Sequence, residues 1–236
     1  MELGLIAGLW VGGSTILGAL LTLLRSRLPG TKALPNMDFA LGMMLAASAF
    51  SLLLPAAQGS WAQGMEAFTV TVLMALLGAA AMYSIGRLLH SSSPAKLFVV
   101  AMMLHNLPEG LAGGAAFVGL SNLGSSSLIS AIMIQNIPEG FATVLAFRAL
   151  GLNNTQAMVG GIASGFVEVI GGGLGGMFVT TTEAALPSLL ALAGGAMLQV
   201  TLRELTERFH AHPPRLYSRI MGGAGFVLIL SWAGNL

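Results

Sequence analysis

The chain contains no cysteine, and it carries little charge: ten Lys and Arg and nine Asp and Glu make up 8% of 236 residues. Without cysteine there is no disulfide and no thiolate ligand, so a metal can be held only by imidazole, carboxylate, amide or water. A soluble globular domain is about 25% charged. Here 55% of residues are hydrophobic and the mean hydropathy is +0.83, which excludes an ordinary soluble domain and predicts an integral protein of the lipid bilayer. The net charge of +1 offers no basic surface for nucleic acid. The first residues, Met1-Glu2-Leu3-Gly4, lack the basic stretch of a cleaved leader, so the first apolar run is expected to remain as a span.

What the sequence does have is long apolar runs and 32 glycines, the small residues that let membrane helices approach closely. Crossing about 30 Å of hydrocarbon takes about 20 helical residues. Eight such segments can be drawn, roughly Leu3–Leu24, Asp38–Ala57, Glu66–Leu89, Leu97–Val118, Ser127–Leu150, Gln156–Val179, Leu186–Leu202 and Leu216–Trp232. The joints are short, so residues 1–236 read as a single transmembrane domain, an all-α membrane protein.

Eight spans put every basic residue on one side. Arg25, Arg27 and Lys32, then Arg87 and Lys96, then Arg148, and finally Arg203, Arg208, Arg215 and Arg219 all fall at alternate joints, while Glu2, Glu66 and Glu183 mark the other side. By the positive-inside rule the expected topology is multi-pass in the cell (inner) membrane, with both termini outside.

Three acidic residues are left inside the spans: Glu109, Glu139 and Glu168. Two of them belong to a doubled motif, His105-Asn106-Leu107-Pro108-Glu109-Gly110 and Gln135-Asn136-Ile137-Pro138-Glu139-Gly140, thirty residues apart. Ionisable groups within membrane spans are costly and face the bundle interior or a polar path. His105 and Glu109 are four apart, as are Gln135 and Glu139, and each pair shares a helix face. Asn106 and Asn136 sit three residues before the same carboxylates. Pro108 and Pro138, helix breakers in a soluble protein, withdraw donors from the carbonyls of Leu104 and Ile134, which is tolerated where those carbonyls line a cavity. Spans four and five run in opposite directions, so their motifs can meet near the midplane across an in-plane pseudo-two-fold axis.

Three buried carboxylates cannot all stay ionised without a cation. One divalent ion leaves the set at minus one and two leave it at plus one. One imidazole, three carboxylates and three amides form a mixed nitrogen and oxygen set, suited to zinc, iron(II), manganese or cadmium and not to copper(I). Interhelical glue is the plainer explanation. Asn and Gln alone would serve that purpose, and three carboxylates with a histidine exceed it.

The doubled N-x-P-E-G pattern, with eight spans and both termini outside, resembles the ZIP family of divalent metal transporters over essentially the whole chain. The resemblance implies a bundle with inverted three-helix repeats around central helices four and five, and a carrier that brings zinc, and also iron, manganese or cadmium, into the cytoplasm by alternating access. It implies two metal positions: His105, Glu109, Gln135 and Glu139 at one, and Asn106, Asn136 and Glu168 with bridging Glu109 and Glu139 at the other. Spans one, four, five and six are then expected to move as a block against the rest. Gln135 departs from the His found in many members, and Asn136 from the Asp found in some prokaryotic ones. The metal is cargo, with no prosthetic group implied, and a homodimer is the one protein assembly admitted.

Two rivals belong to other classes. An intramembrane metalloprotease needs H-E-x-x-H, which the sequence lacks, so no enzyme is expected. A metal-selective channel needs the same site but passes ions without saturation. The remaining signals are weaker. Trp61 is expected in an outer loop and Trp10 in the packing. His90, His210 and His212 are read as solvated joints, with metal handover the rival use of the last two. Asp38 is read as a solvated helix start that assists release only in a minority view, and Asn154 or Thr155 as a helix cap.

Overall fold

A computed structural model describes residues 2–25, 37–89, 94–119, 122–181, 185–211 and 213–233. Among them there is helix and no strand. We label the rods α1 (Glu2–Arg25), α2 (Met37–Ala46, Ala47–Leu53 and Leu54–Gln63 in continuous succession), α3 (Met65–Leu89), α4 (Pro94–Gly119), α5 (Asn122–Ala149), α6 (Asn154–Thr181), α7 (Leu186–Ala211) and α8 (Pro213–Ala233). Five stretches, Glu2–Leu23, Leu41–Gln63, Met65–Leu88, Asn154–Thr180 and Leu186–Thr206, are long and apolar enough to cross a bilayer. The helices carrying the doubled motif are 26 and 28 residues long.

The second rod is longer than its sequence suggests. It was expected to end near Ala57, but it continues to Gln63 through a π-helical stretch at Ala47–Leu53, where the Leu54 amide reaches the Ala49 carbonyl. Pro55 has no amide to give, and the widened turn before it takes up the irregularity without ending the helix. Trp61 therefore lies on the last helical turn and not in a loop. It is exposed, and its ring meets Phe68 edge-on at 5.2 Å. Trp10 is 60% exposed, so it does not pack into the bundle as expected.

Pro108 and Pro138 do not break their helices either, since α4 and α5 run through them without interruption. The end of α5 is closed by Gly151 at φ 89°, with the Gly151 amide on Arg148 and the Leu152 amide on Phe147. That is a left-handed helix end which glycine adopts without strain. The cap of α6 is Asn153, not Asn154 or Thr155. Its Oδ1 accepts from the Gln156 amide at 2.9 Å while Gln156 Oε1 accepts from the Asn153 amide at 3.1 Å, a reciprocal capping box. The joint drawn around Arg203–Arg215 is largely helical, because α7 runs to Ala211 and α8 starts at Pro213. His210 has only its helical backbone described. His90, His212, Lys32 and Glu183 lie outside the described residues.

The rods form two packing groups. Helix α6 packs extensively on α4 and α1, and α1 on α5; in the other group α3 packs on α7 and the first part of α2 on α8. The broadest contact between the groups is α4 against α7. Helix α6 is rich in glycine because it has backbones on two sides. Gly165, Gly172 and Gly176 lie against Gly12, Gly8 and Gly4 of α1, while Gly171 and Gly175 lie against Leu107 and Leu111 of α4.

Candidate metal centre

The two motifs sit where the α4 and α5 backbones come close to those of α6 and α1. A Cβ on Gly110 would collide with the backbone of Glu168, and one on Gly140 would collide with the backbone of Thr15. Each motif glycine thus seats its helix on a neighbour: α4 on α6 and α5 on α1. With the backbones seated there, the polar side chains of the preceding turn and of the adjacent glutamates are buried. Asn106, Asn136 and Glu168 are 0% exposed, and Glu109, Gln135 and Glu139 are 2% or less.

Glu168 is a hub for three helices. Its Oε1 accepts from Thr15 Oγ1 and from Asn106 Nδ2, both at 2.6 Å, and its Oε2 accepts from Asn136 Nδ2 at 2.6 Å. The Asn136 amide also approaches the Val11 carbonyl at 3.5 Å. Both asparagines thus present nitrogen to Glu168 and turn oxygen elsewhere. Those oxygens, Asn106 Oδ1 and Asn136 Oδ1, have no hydrogen-bond partner.

Glu109 is held more loosely. Its Oε1 accepts from Gln135 Nε2 at 3.2 Å, the Asn136 side chain also lies against its carboxylate, and its Oε2 and Gln135 Oε1 have no hydrogen-bond partner among the described residues. Glu139 is close enough for its charge to act on both Glu109 and Glu168. Buried oxygen acceptors left without donors are rare in native proteins, because each forfeits its hydration. Four of them gathered beside carboxylates make a site complementary to a positive charge.

Six of the seven residues singled out from sequence are therefore buried in one neighbourhood at the crossing of α4, α5 and α6. The seventh, His105, lies on α4 one turn before Glu109, and its side chain falls outside the described residues. Among the described residues, no three His, Cys, Asp or Glu side chains by themselves gather as a metal site.

Thr15 was missed by sequence reasoning. Nothing distinguishes it from Ser14 or Thr22, whose hydroxyls merely return to their own helix carbonyls at Val11 and Ala19. Two further hydroxyls, Thr143 one turn after Glu139 and Ser164 one turn before Glu168, are fully buried without a hydrogen-bond partner. Asp38 is less solvated than expected, being 13% exposed and paired with Arg219 of α8 at 3.2 Å.

Known zinc transporters resemble this chain over most of its length. The family model described as ZIP Zinc transporter matches residues 89–232. The chain is 34% identical over 231 residues to the zinc transporter GufA of Myxococcus xanthus, covering 89% of each. It is 36% identical over 234 residues to the zinc transporter ZIPB of Bordetella bronchiseptica, covering 92% of this chain and 76% of that one. A shorter match, 42% identical over 115 residues and covering 46% of this chain and 34% of the other, is to the zinc transporter ZIP11 of Xenopus tropicalis.

Proposed function

The chain belongs to the ZIP family of zinc transporters, and from that premise we propose that it carries zinc, or a similar divalent cation such as iron(II), manganese or cadmium, across the cell membrane into the cytoplasm. The observation that carries this reading is the group of buried acceptor oxygens beside Glu109 that no donor among the described residues satisfies. A divalent cation supplies what they lack. It also neutralises carboxylates that would otherwise be buried at a cost of several kcal/mol each.

In this reading one ion is held by His105, Glu109, Gln135 and Glu139, and a second by Asn106, Asn136 and Glu168 with Glu109 and Glu139 bridging. The two positions are unequal. Glu168 already accepts three hydrogen bonds at 2.6 Å, so it enters the second position with fewer free lone pairs than Glu109 brings to the first. Gln135 and Asn136 are neutral, which makes the set weaker than one of imidazoles and carboxylates and favours release after dehydration.

We read the bundle as eight spans with both termini outside, built from inverted three-helix repeats. The paired seating of Gly110 on α6 and Gly140 on α5's neighbour α1 supports this, because an axis exchanging α4 with α5 also exchanges α6 with α1. Alternating access follows if the block α1, α4, α5 and α6 rocks against α2, α3, α7 and α8. Support comes from the dense packing within each group and the narrower α4–α7 contact between them. A homodimer is compatible with this scheme and not required by it.

The test is uptake of labelled zinc into proteoliposomes. Saturable uptake, abolished in Glu109→Ala and Glu139→Ala proteins that still fold, is expected. Full uptake in those variants overturns the site, and flux that rises linearly with concentration favours a metal-selective channel over a carrier.

A further inference from the structure

We propose that Thr15 of α1 is a positioning residue of the metal site, acting through Glu168 to hold the Asn106 and Asn136 amides with their oxygens toward the ion. The proposal deepens the transport reading above and rests on it. No sequence motif marks this threonine; the juxtaposition is tertiary.

Three observations carry it. First, the Thr15 hydroxyl donates to Glu168 Oε1 at 2.6 Å across 153 residues of sequence, whereas the buried hydroxyls of Ser14, Thr22, Ser48, Ser60 and Thr201 all return to carbonyls three or four residues back in their own helices. A helical threonine that gives up that local bond for a carboxylate on another helix is tied to the carboxylate's placement. Second, Glu168 Oε1 is shared between Thr15 and Asn106 while Oε2 takes Asn136. Of these three donors Thr15 alone has no second polar side-chain atom to turn toward the site, so its role is to fix the carboxylate between the two amides. Third, both ends of the bond are seated by motif glycines, Gly110 against the Glu168 backbone and Gly140 against the Thr15 backbone. Under the repeat proposed above, Thr15 on α1 occupies the place that Glu168 occupies on α6. One half of the pair supplies the charge and the other the hydroxyl that orients it.

The physical consequence is preorganisation. An amide whose nitrogen is pinned to an anion cannot rotate, so its oxygen is presented to an incoming cation without an ordering cost. Partners one step behind metal ligands typically change metal affinity 10–100-fold when removed. Replacing Thr15 with valine keeps the shape and deletes the donor, while serine keeps the donor.

The experiment measures zinc binding to the purified full-length protein by calorimetry, with thermal unfolding as the control for folding. Thr15→Val is expected to weaken zinc binding by about 10-fold with its unfolding temperature in the absence of metal near the parent's, and Thr15→Ser is expected to restore affinity. In a Glu168→Gln background, Thr15→Val is expected to add little, since the two act through one bond. Parental affinity in Thr15→Val, or losses that simply add in the double variant, overturns the proposal. Glu109→Ala separates the two levels of inference. If it binds zinc normally, the transport site itself is wrong, whereas loss in Glu109→Ala with no effect of Thr15→Val rejects only the role of Thr15.

Discussion

The backbone of Gly110 lies so close to that of Glu168 that a Cβ at position 110 would overlap the Glu168 carbonyl carbon and oxygen. The glycine of the first motif is thereby what brings α4 near enough for Asn106 to reach the Glu168 carboxylate at 2.6 Å. Gly140 does the same for α5 against Thr15 of α1.

Gly110→Ala is therefore expected to separate α4 from α6. The obstacle is backbone and not a flexible side chain, so the cost should resemble overpacking of a tight core, about 1–3 kcal/mol. Thermal unfolding in detergent measures it, and zinc affinity should fall as well. An alanine variant with unchanged stability and affinity would show that the contact is looser than described.

Glu109→Gln retains volume and hydrogen bonding while removing charge. If Glu109 contacts the ion, zinc uptake should fall by about 100-fold or more, exceeding what residues behind the ligands contribute. The same substitution leaves a bundle held by glue alone essentially intact, so retained uptake would favour the plainer role.

Acid should release the metal. The carboxylates of Glu109 and Glu139 must be ionised to bind a cation, so protons compete with it, and both uptake and the rise in unfolding temperature caused by zinc should shrink as pH falls. Measuring the zinc-induced temperature shift across a pH series checks the sign; a shift that grows on acidification contradicts it.

Arg219→Ala should do little. The Arg219–Asp38 pair joins α8 to α2 within one packing group, and its arginine is 46% exposed. Pairs of that kind contribute about 0–1 kcal/mol. Unfolding and zinc uptake both near parental values are expected, and a transport defect with a normal fold would instead give the pair a part in ion release.

The pairing suggested by spacing, of each motif glutamate with the groups three and four residues before it, gives way in the structure to Gln135 on Glu109 and to Asn106 and Asn136 on Glu168. What the sequence determined by itself is the membrane class and the helical rods. Those features depend on composition and on the 3.6-residue period, both local. It also placed the central carboxylates correctly inside the bundle, because a charge within an apolar helix has nowhere else to go. Only the tertiary structure decided that Glu168 is clasped by Thr15, Asn106 and Asn136, that the asparagine oxygens are thereby left over for a cation, and that each motif glycine rests on a different neighbour. Which face of one helix meets which face of another depends on backbone-to-backbone approach between residues far apart along the chain. Thr15, Ser14 and Thr22 look alike along the chain and differ only in what lies across from them.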